Sequence, residues 1–350
     1  SNLMYFGDVF WGRYVNDWAQ RSDLKEAYTF SGLYTLGREK YDAWIGSLNC
    51  PITDNNVSSE YQNTYLKFNC TPNYLEEAQK WFNIFSLANS HTDNMNGLEG
   101  FNSTREYLDQ YDIQYFGHFD KNVTDEICDI VNVTAAPLKN AEDYRLLEDT
   151  NYKYEEFTIP IAMCGYHNTF SLPTDEQLAE ISNYSDNFIT LVYAIQGPEY
   201  ALTADGLQQK YFRLMIDNGA DAVLGKGAHV VQNTESYNGK LIVYSMGNFI
   251  YDQQVGPDKT QGIGVEVKLN VSYDENIEKW QELVEECKDF ADDCLDTSDE
   301  LSLSKPEFTV EYGIVGTDNS NKLTRKGDEN VQARMLARTN WQSTLSGLKK

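Results

Sequence analysis

Gly219-Ala220-Asp221-Ala222-Val223-Leu224-Gly225 is the stretch on which the fold assignment turns. Leu207–Ile216 before it reads as a helix, and Gly219 reads as the glycine that ends that helix. Ala222–Leu224 then reads as a short buried strand, and His229 stands in the polar loop beyond it. The same alternation extends outward. Strands are expected at Leu3–Phe6, Ala43–Leu48, Ile84–Ala88, Phe157–Met163, Phe188–Ile195 and Leu241–Ser245. Helical patterns are expected at Tyr74–Phe82, with a stripe of Leu75, Ala78 and Phe82, and at Leu98–Leu108 and Asp175–Ile181. Apolar strands alternating with helices predict a layered α/β fold.

We expect one domain over residues 1–350. Its motif-bearing core covers about 4–254 and an acidic helical excursion about 274–304. A closing strand (Phe308–Val315) and helix (Ala333–Leu345) fall in 308–350. With 41% hydrophobic residues the chain can bury a sizeable core. No run approaches the roughly 18 apolar residues of a membrane helix, so no membrane-spanning segment is expected. No signal peptide is read either, because Leu3-Met4-Tyr5-Phe6 is already strand-like. The formal charge of −26, from 54 acids against 28 bases, repels phosphate backbones and argues against nucleic-acid binding.

The 6 cysteines form no C-x-x-C pair and do not cluster with histidine at zinc-finger spacing. The spacing of Cys287 and Cys294 allows a local disulfide, and up to three disulfides would suit an exported protein. The alternative is a set of buried reduced thiols. Sequons at Asn56, Asn69, Asn102, Asn122, Asn132, Asn183 and Asn270 carry little weight in a chain so rich in Asn, Ser and Thr.

Several expected strands run straight into a loop bearing a potential ligand. Asp8 follows the first, Asn49 the second, Asn89 and His91 the third; His167, His229 and Asn248 follow later ones. Ligands of α/β sheets bind outside the carboxyl ends of strands. Carboxylate, carboxamides and imidazoles converging there suit a divalent metal. Of the 4 histidines, His91, His167 and His229 fall just past expected strand ends; taken singly, each reads sooner as a hydrogen-bonded structural residue than as a ligand, and their shared placement evens the two readings for His91 and His229.

At these loops the chain resembles the CapA family of poly-γ-glutamate capsule biosynthesis, which has a metallophosphatase-like fold. Gly7-Asp8-Val9-Phe10-Trp11-Gly12-Arg13 resembles its first motif. Ser47-Leu48-Asn49-Cys50-Pro51 resembles its second, and Ala88-Asn89-Ser90-His91-Thr92-Asp93 its third. Gly219 through Gln232 resembles the fifth block, and Asn238–Asp252 resembles the closing signature. The resemblance implies a layered sandwich of mixed β-sheets flanked by helices. It also implies an exported or membrane-anchored protein.

In the two-metal pattern that the resemblance implies, Asp8 and His229 would serve one metal and Asn89 and His91 match the third motif. The departures are severe. The bridging Glu is Asn49; two further histidines are Ile195 and Gly227. A neutral amide cannot hold two cations about 4 Å apart, and Ile195 and Gly227 offer no donor atom. The expectation is no metal, or one weakly bound Mn, Zn or Fe on Asp8, His229 and Asn49; a two-metal centre is not expected. Glu199 and Asp252 could supply carboxylates, and Lys226 could hold an anion where a metal would sit. The simpler reading is that all three are solvated loop residues. His167 could replace a lost imidazole, while Arg13, Asp93 and Asn248 lie within the matched motifs.

The leading expectation is thus a cell-surface or extracellular CapA-like protein, its anchor or signal segment removed. Its site would be degenerate, and its partner would be an envelope polymer or surface proteins. One alternative is an active metal-dependent hydrolase of a phosphoester or amide-linked polymer, with His91 as general acid. Another is a structural surface glycoprotein that uses its aromatic faces for assembly.

Overall fold

The computed structural model describes residues 1–135, 157–272, 276–286 and 294–349. Along Leu3-Met4-Tyr5-Phe6 successive side chains leave opposite faces of the strand. Leu3 and Tyr5 enter one buried cluster, and Met4 and Phe6 enter another. Trp44/Ile45 and Ile84/Phe85 divide in the same way, and this division sets the layers.

The strands are β1 (Asn2–Val9), β2 (Ala43–Leu48), β3 (Ile84–Ser86), β4 (Gln114–Phe116), β5 (Cys128–Ala135), β6 (Phe157–His167) and β7 (Thr190–Ile195). They continue with β8 (Ala222–Lys226), β9 (Thr234–Tyr237), β10 (Lys240–Val243), β11 (Asn248–Ile250), β12 (Gln261–Val271), β13 (Phe308–Asp318) and β14 (Arg325–Lys326). One sheet has the order β14-β13-β12-β1-β2-β3-β4, with β11 beside β1; the other has the order β5-β6-β7-β8-β10-β9. Both are mixed: β1 through β4 run parallel while β12 and β13 are antiparallel, and β6-β7-β8-β10 run parallel between antiparallel edges.

The sheets pack face to face through Leu3, Tyr5, Ile45 and Ile84 against Ile161, Met163 and Tyr193. Helix Leu98–Gln110 covers the outer face of the first sheet with Phe101 and Leu108. Helices Asp175–Ser185 and Gly206–Asp217 cover the second with Leu178, Ile181, Phe212 and Met215. The result is the expected sandwich of two mixed sheets flanked by helices. Helix starts are set by local chemistry: Thr174 and Gln177 form a capping box, and Asp205 caps the next helix by accepting from Gln208 N.

Several boundaries differ from the sequence reading. β3 ends at Ser86, and β6 runs on to His167, so His167 is the last residue of a strand rather than a loop residue. Tyr74–Phe82 is only a 3₁₀ turn, Pro72–Tyr74, followed by one helical turn, Leu75–Ala78. Ala333–Leu345 divides into Glu329–Thr339 and Trp341–Gly347, because Asn340 adopts φ 53° and ends the first helix. The acidic stretch holds the helices Ile277–Glu286 and Cys294–Glu300, and Trp280 and Leu283 are fully buried in the cluster that contains the second sheet.

Two disulfides, Cys50–Cys70 and Cys128–Cys164, replace the alternative of reduced thiols. Cys294 is disulfide-bonded as well, while Cys287 lies outside the described residues. The first bridge pins the loop carrying Asn49, and Trp11 N lies 3.4 Å from Cys70 Sγ. Replacing Cys50 and Cys70 together with Ala is expected to lower stability by roughly 2–3 kcal/mol through the freed unfolded chain. Urea unfolding with and without reductant checks this, since reductant should then add a smaller further loss in the variant than in the parent.

Candidate functional site

Asp8 stands near the carboxyl end of β1, with parallel register placing it beside Ser47 on β2 and Asn248 on β11. Gly7 permits this convergence: a Cβ there would lie 1.7 Å from Gly247 O. Across the inter-sheet gap, the register of β6, β7 and β8 aligns His167, Ile195 and Lys226 in one row.

Lys226 closes that row towards the first sheet. Its side chain is 0% exposed, and its Nζ lies 3.8 Å from Asp8 Oδ1. Among the described residues no hydrogen bond reaches this Nζ. Burial pulls the ammonium down from its ordinary value to about 7, against the raising effect of Asp8. Asp8 is also approached by Asn89 Nδ2 at 3.4 Å, and the same amide donates to Ser47 Oγ at 3.0 Å.

His229 lies on a left-handed residue, φ 58°, with its Nδ1 2.8 Å from Asn248 Oδ1 and 3.6 Å from Asp8 Oδ2. Asn248 Nδ2 is spent on Gln253 Oε1 and Lys259 O, so its Oδ1 must accept from His229. The proton therefore sits on Nδ1, the nitrogen turned towards Asp8. His229 Nε2 faces outward, 4.0 Å from Glu199 Oε1.

His91 stacks on Phe68 at 4.0 Å and holds Asn94 Oδ1 at 2.7 Å through Nδ1. Asn94 Oδ1 also accepts from Phe68 N, which fixes it as the acceptor and puts the His91 proton on Nδ1. Burial lowers the His91 pKa to about 4; His229 and Arg13 push the same way, while Asn94 and Asp8 oppose. The ring is thus neutral at pH 7. Asn49 donates to Tyr251 OH at 3.1 Å, and its buried Oδ1 has no partner among the described residues.

Arg13 and Asp252 form a bidentate, buried pair at 2.6 and 2.5 Å, with the guanidinium 4.6 Å from the Phe68 ring centre. Asp252 and Lys226 are therefore buried partners rather than solvated loop residues, whereas Glu199 is half exposed. His167 Nδ1 binds Phe119 O at 2.9 Å. Burial lowers the His167 pKa, and the positive charge of Lys226 adds to the effect. Asp93 is exposed, accepting only a long bond from Asn94 Nδ2. The sequence reading missed Ser47, Tyr251 and Phe68. The first two lie inside motifs it singled out; Phe68 carries no signal of its own. Among the described residues, no group of three or more His, Cys, Asp or Glu is arranged to hold a metal ion.

A family model described as bacterial capsule synthesis protein PGA_cap matches residues 2–253. The chain belongs to this family. The match ends just past Asp252, so every candidate above falls inside it, while β12 and β13 lie beyond it and extend the same sheet. The chain is 26% identical over 177 residues to a capsule biosynthesis protein CapA of Bacillus anthracis, 49% of this chain and 41% of that one. It is 37% identical over 87 residues to the PGA biosynthesis protein CapA of Bacillus subtilis (strain 168), 23% and 22% of the two chains. The matches thus span less than half the length of these relatives. A looser likeness, TM-score 0.39 at 8% identity over 75% of this chain and 92% of the other, is to the crystal structure of TT1561 of Thermus thermophilus.

Proposed function

We propose that this chain is a non-catalytic member of the capsule-synthesis family, acting outside the cytoplasm at the cell surface as a binding module for capsule or envelope polymer. The observation that carries the reading is Lys226: a fully buried ammonium without a hydrogen bond stands 3.8 Å from the carboxylate that would bind the first metal. A divalent ion on Asp8 would meet that positive charge at close range. The donor set fits poorly in other ways too. His229 turns an N–H towards Asp8, Asn49 brings no charge, and Ile195 and Gly227 bring no donor.

Below about pH 7 Lys226 thus supplies, from the protein itself, a positive charge of the kind a metal would give. A neutral His91 with its proton committed to Asn94 is poorly set up as a general acid. Two features support export: two disulfides and a fifth bonded cysteine, Cys294.

Elemental analysis tests the reading directly. Protein purified without chelator and dialysed against manganese or zinc is expected to retain well under one ion per chain. Two tightly held ions would overturn the proposal in favour of a hydrolase, and aryl phosphate hydrolysis lost on His229→Ala would then be the expected companion result.

A further inference from the structure

Past Glu199 the carboxyl ends of β6 and β7 open into a second cleft of about 460 Å³, a size suited to a small ligand. One wall is the loop leaving β6, with Asn168, Phe170 and Leu172; the other is the loop leaving β7, with Gln196 and Glu199. Leu207, at the start of helix Gly206–Asp217, closes the far side. The cleft therefore sits where parallel strands of α/β sheets place their ligands.

Two buried amides point to what it takes. Asn168 is 3% exposed and Gln196 4%, yet among the described residues Asn168 Oδ1 and Gln196 Oε1 have no hydrogen-bond partner. Buried carbonyl oxygens left unpaired call for an explanation, and a ligand donor is one. Beside them Phe170 is 89% exposed, the most exposed of the large apolar side chains among the described residues. A bare aromatic ring next to unsatisfied acceptors offers an apolar platform and a polar edge together.

Charge narrows the choice. Among the described residues no Lys, Arg or His lines the cleft, and Glu199 stands on its wall, so an anion is disfavoured. A protonated amine would need carboxylates aimed at it. Asp205 accepts from Gln208 N through one oxygen and keeps acceptor capacity, and Glu199 lies 4.0 Å from His229 Nε2, so the amine is the rival that the titration must exclude. The two waiting acceptors are neutral.

We propose that this cleft binds an uncharged sugar residue of a glycan. The C–H face of the ring rests on Phe170, and its hydroxyls donate to Asn168 Oδ1 and Gln196 Oε1 once these side chains turn towards the cleft, since both oxygens are sealed from solvent as they stand. The proposal stands whether or not the central site holds a metal.

Calorimetric titration of the full chain with uncharged hexasaccharides of glucose and of N-acetylglucosamine tests it, with spermine as the amine probe. Saturable binding of at least one hexasaccharide is expected. Phe170→Ala and Gln196→Leu should each weaken it about tenfold or more, as loss of a central contact does. Phe170 is exposed, so its truncation is expected to leave the unfolding midpoint unchanged and separates lost contact from lost fold. Three results would overturn the proposal: no heat from either sugar up to ~10 mM, sugar binding that both variants leave untouched, or spermine binding that Glu199→Gln abolishes while sugars stay silent. Metal content measured on the same preparation keeps this outcome distinct from that of the reading above.

Discussion

Gly227→His, which returns one imidazole of the family's metal pattern, is expected to destabilise the protein by about 3–5 kcal/mol instead of rebuilding a site. Two costs combine. Gly227 holds φ +105°, a conformation that side-chain-bearing residues rarely adopt. A Cβ there would also lie 2.6 Å from Ile195 Cγ2, inside any permissible contact. Ile195 is itself the residue standing where the pattern asks for another histidine, so the two losses are not independent. One fills the space that the other vacates. A double-mutant cycle with Ile195→Ala is therefore expected to show favourable coupling of about 1 kcal/mol or more, the strain of the backbone remaining. Urea unfolding of the four proteins measures it. Should Gly227→His lie within about 1 kcal/mol of the parent, the idea that packing has closed this ligand position would fall.

Much of this was legible from residue patterns alone, for a reason visible in the strands. β1, β2, β7 and β8 are short apolar runs buried on both faces, and such runs stand out from their polar flanks. Ligand-type residues at their carboxyl ends could be located because the chain must leave a parallel sheet there. β12 was equally legible: Ile263, Val265, Val267 and Leu269 alternate without a break, and the sequence reading passes over them. β5 was harder, since Asp129 and Asn132 interrupt its pattern while their side-chain and backbone groups bond to neighbouring loops and strands.

Disulfide partners were not legible at all. Cys50 and Cys70 stand 20 residues apart, and Cys128 meets Cys164 only through the register of β5 on β6. Lys226 shows the limit most clearly. In sequence it is a lysine beside two glycines near a loop, and solvation is the natural reading. Only the row His167-Ile195-Lys226, and the facing of one sheet on the other, bury it against Asp8.

That burial makes a second large effect measurable. Between pH 7 and pH 10 the parent protein is expected to gain about 3 kcal/mol of stability relative to Lys226→Met. Folded Lys226 gives up its proton near pH 7, whereas in the unfolded chain it does so near 10.5. Within that window the unfolded chain binds the extra proton, so raising the pH removes a penalty carried only by the folded state. Below pH 7 both states are charged and the difference stops changing. Above 10.5 both are neutral and it is constant again. Taking the difference from Lys226→Met cancels the tyrosines and carboxylates that titrate in both proteins. Urea midpoints at pH 6.5, 8 and 9.5 give the slope, and parallel curves would mean that the ammonium is not desolvated as its surroundings imply. The same titration bears on function. If Lys226 supplies the cation of the central site, affinity for an anionic polymer should fall as pH rises through 7 to 8, the opposite of a metal site whose ligands improve as they lose protons.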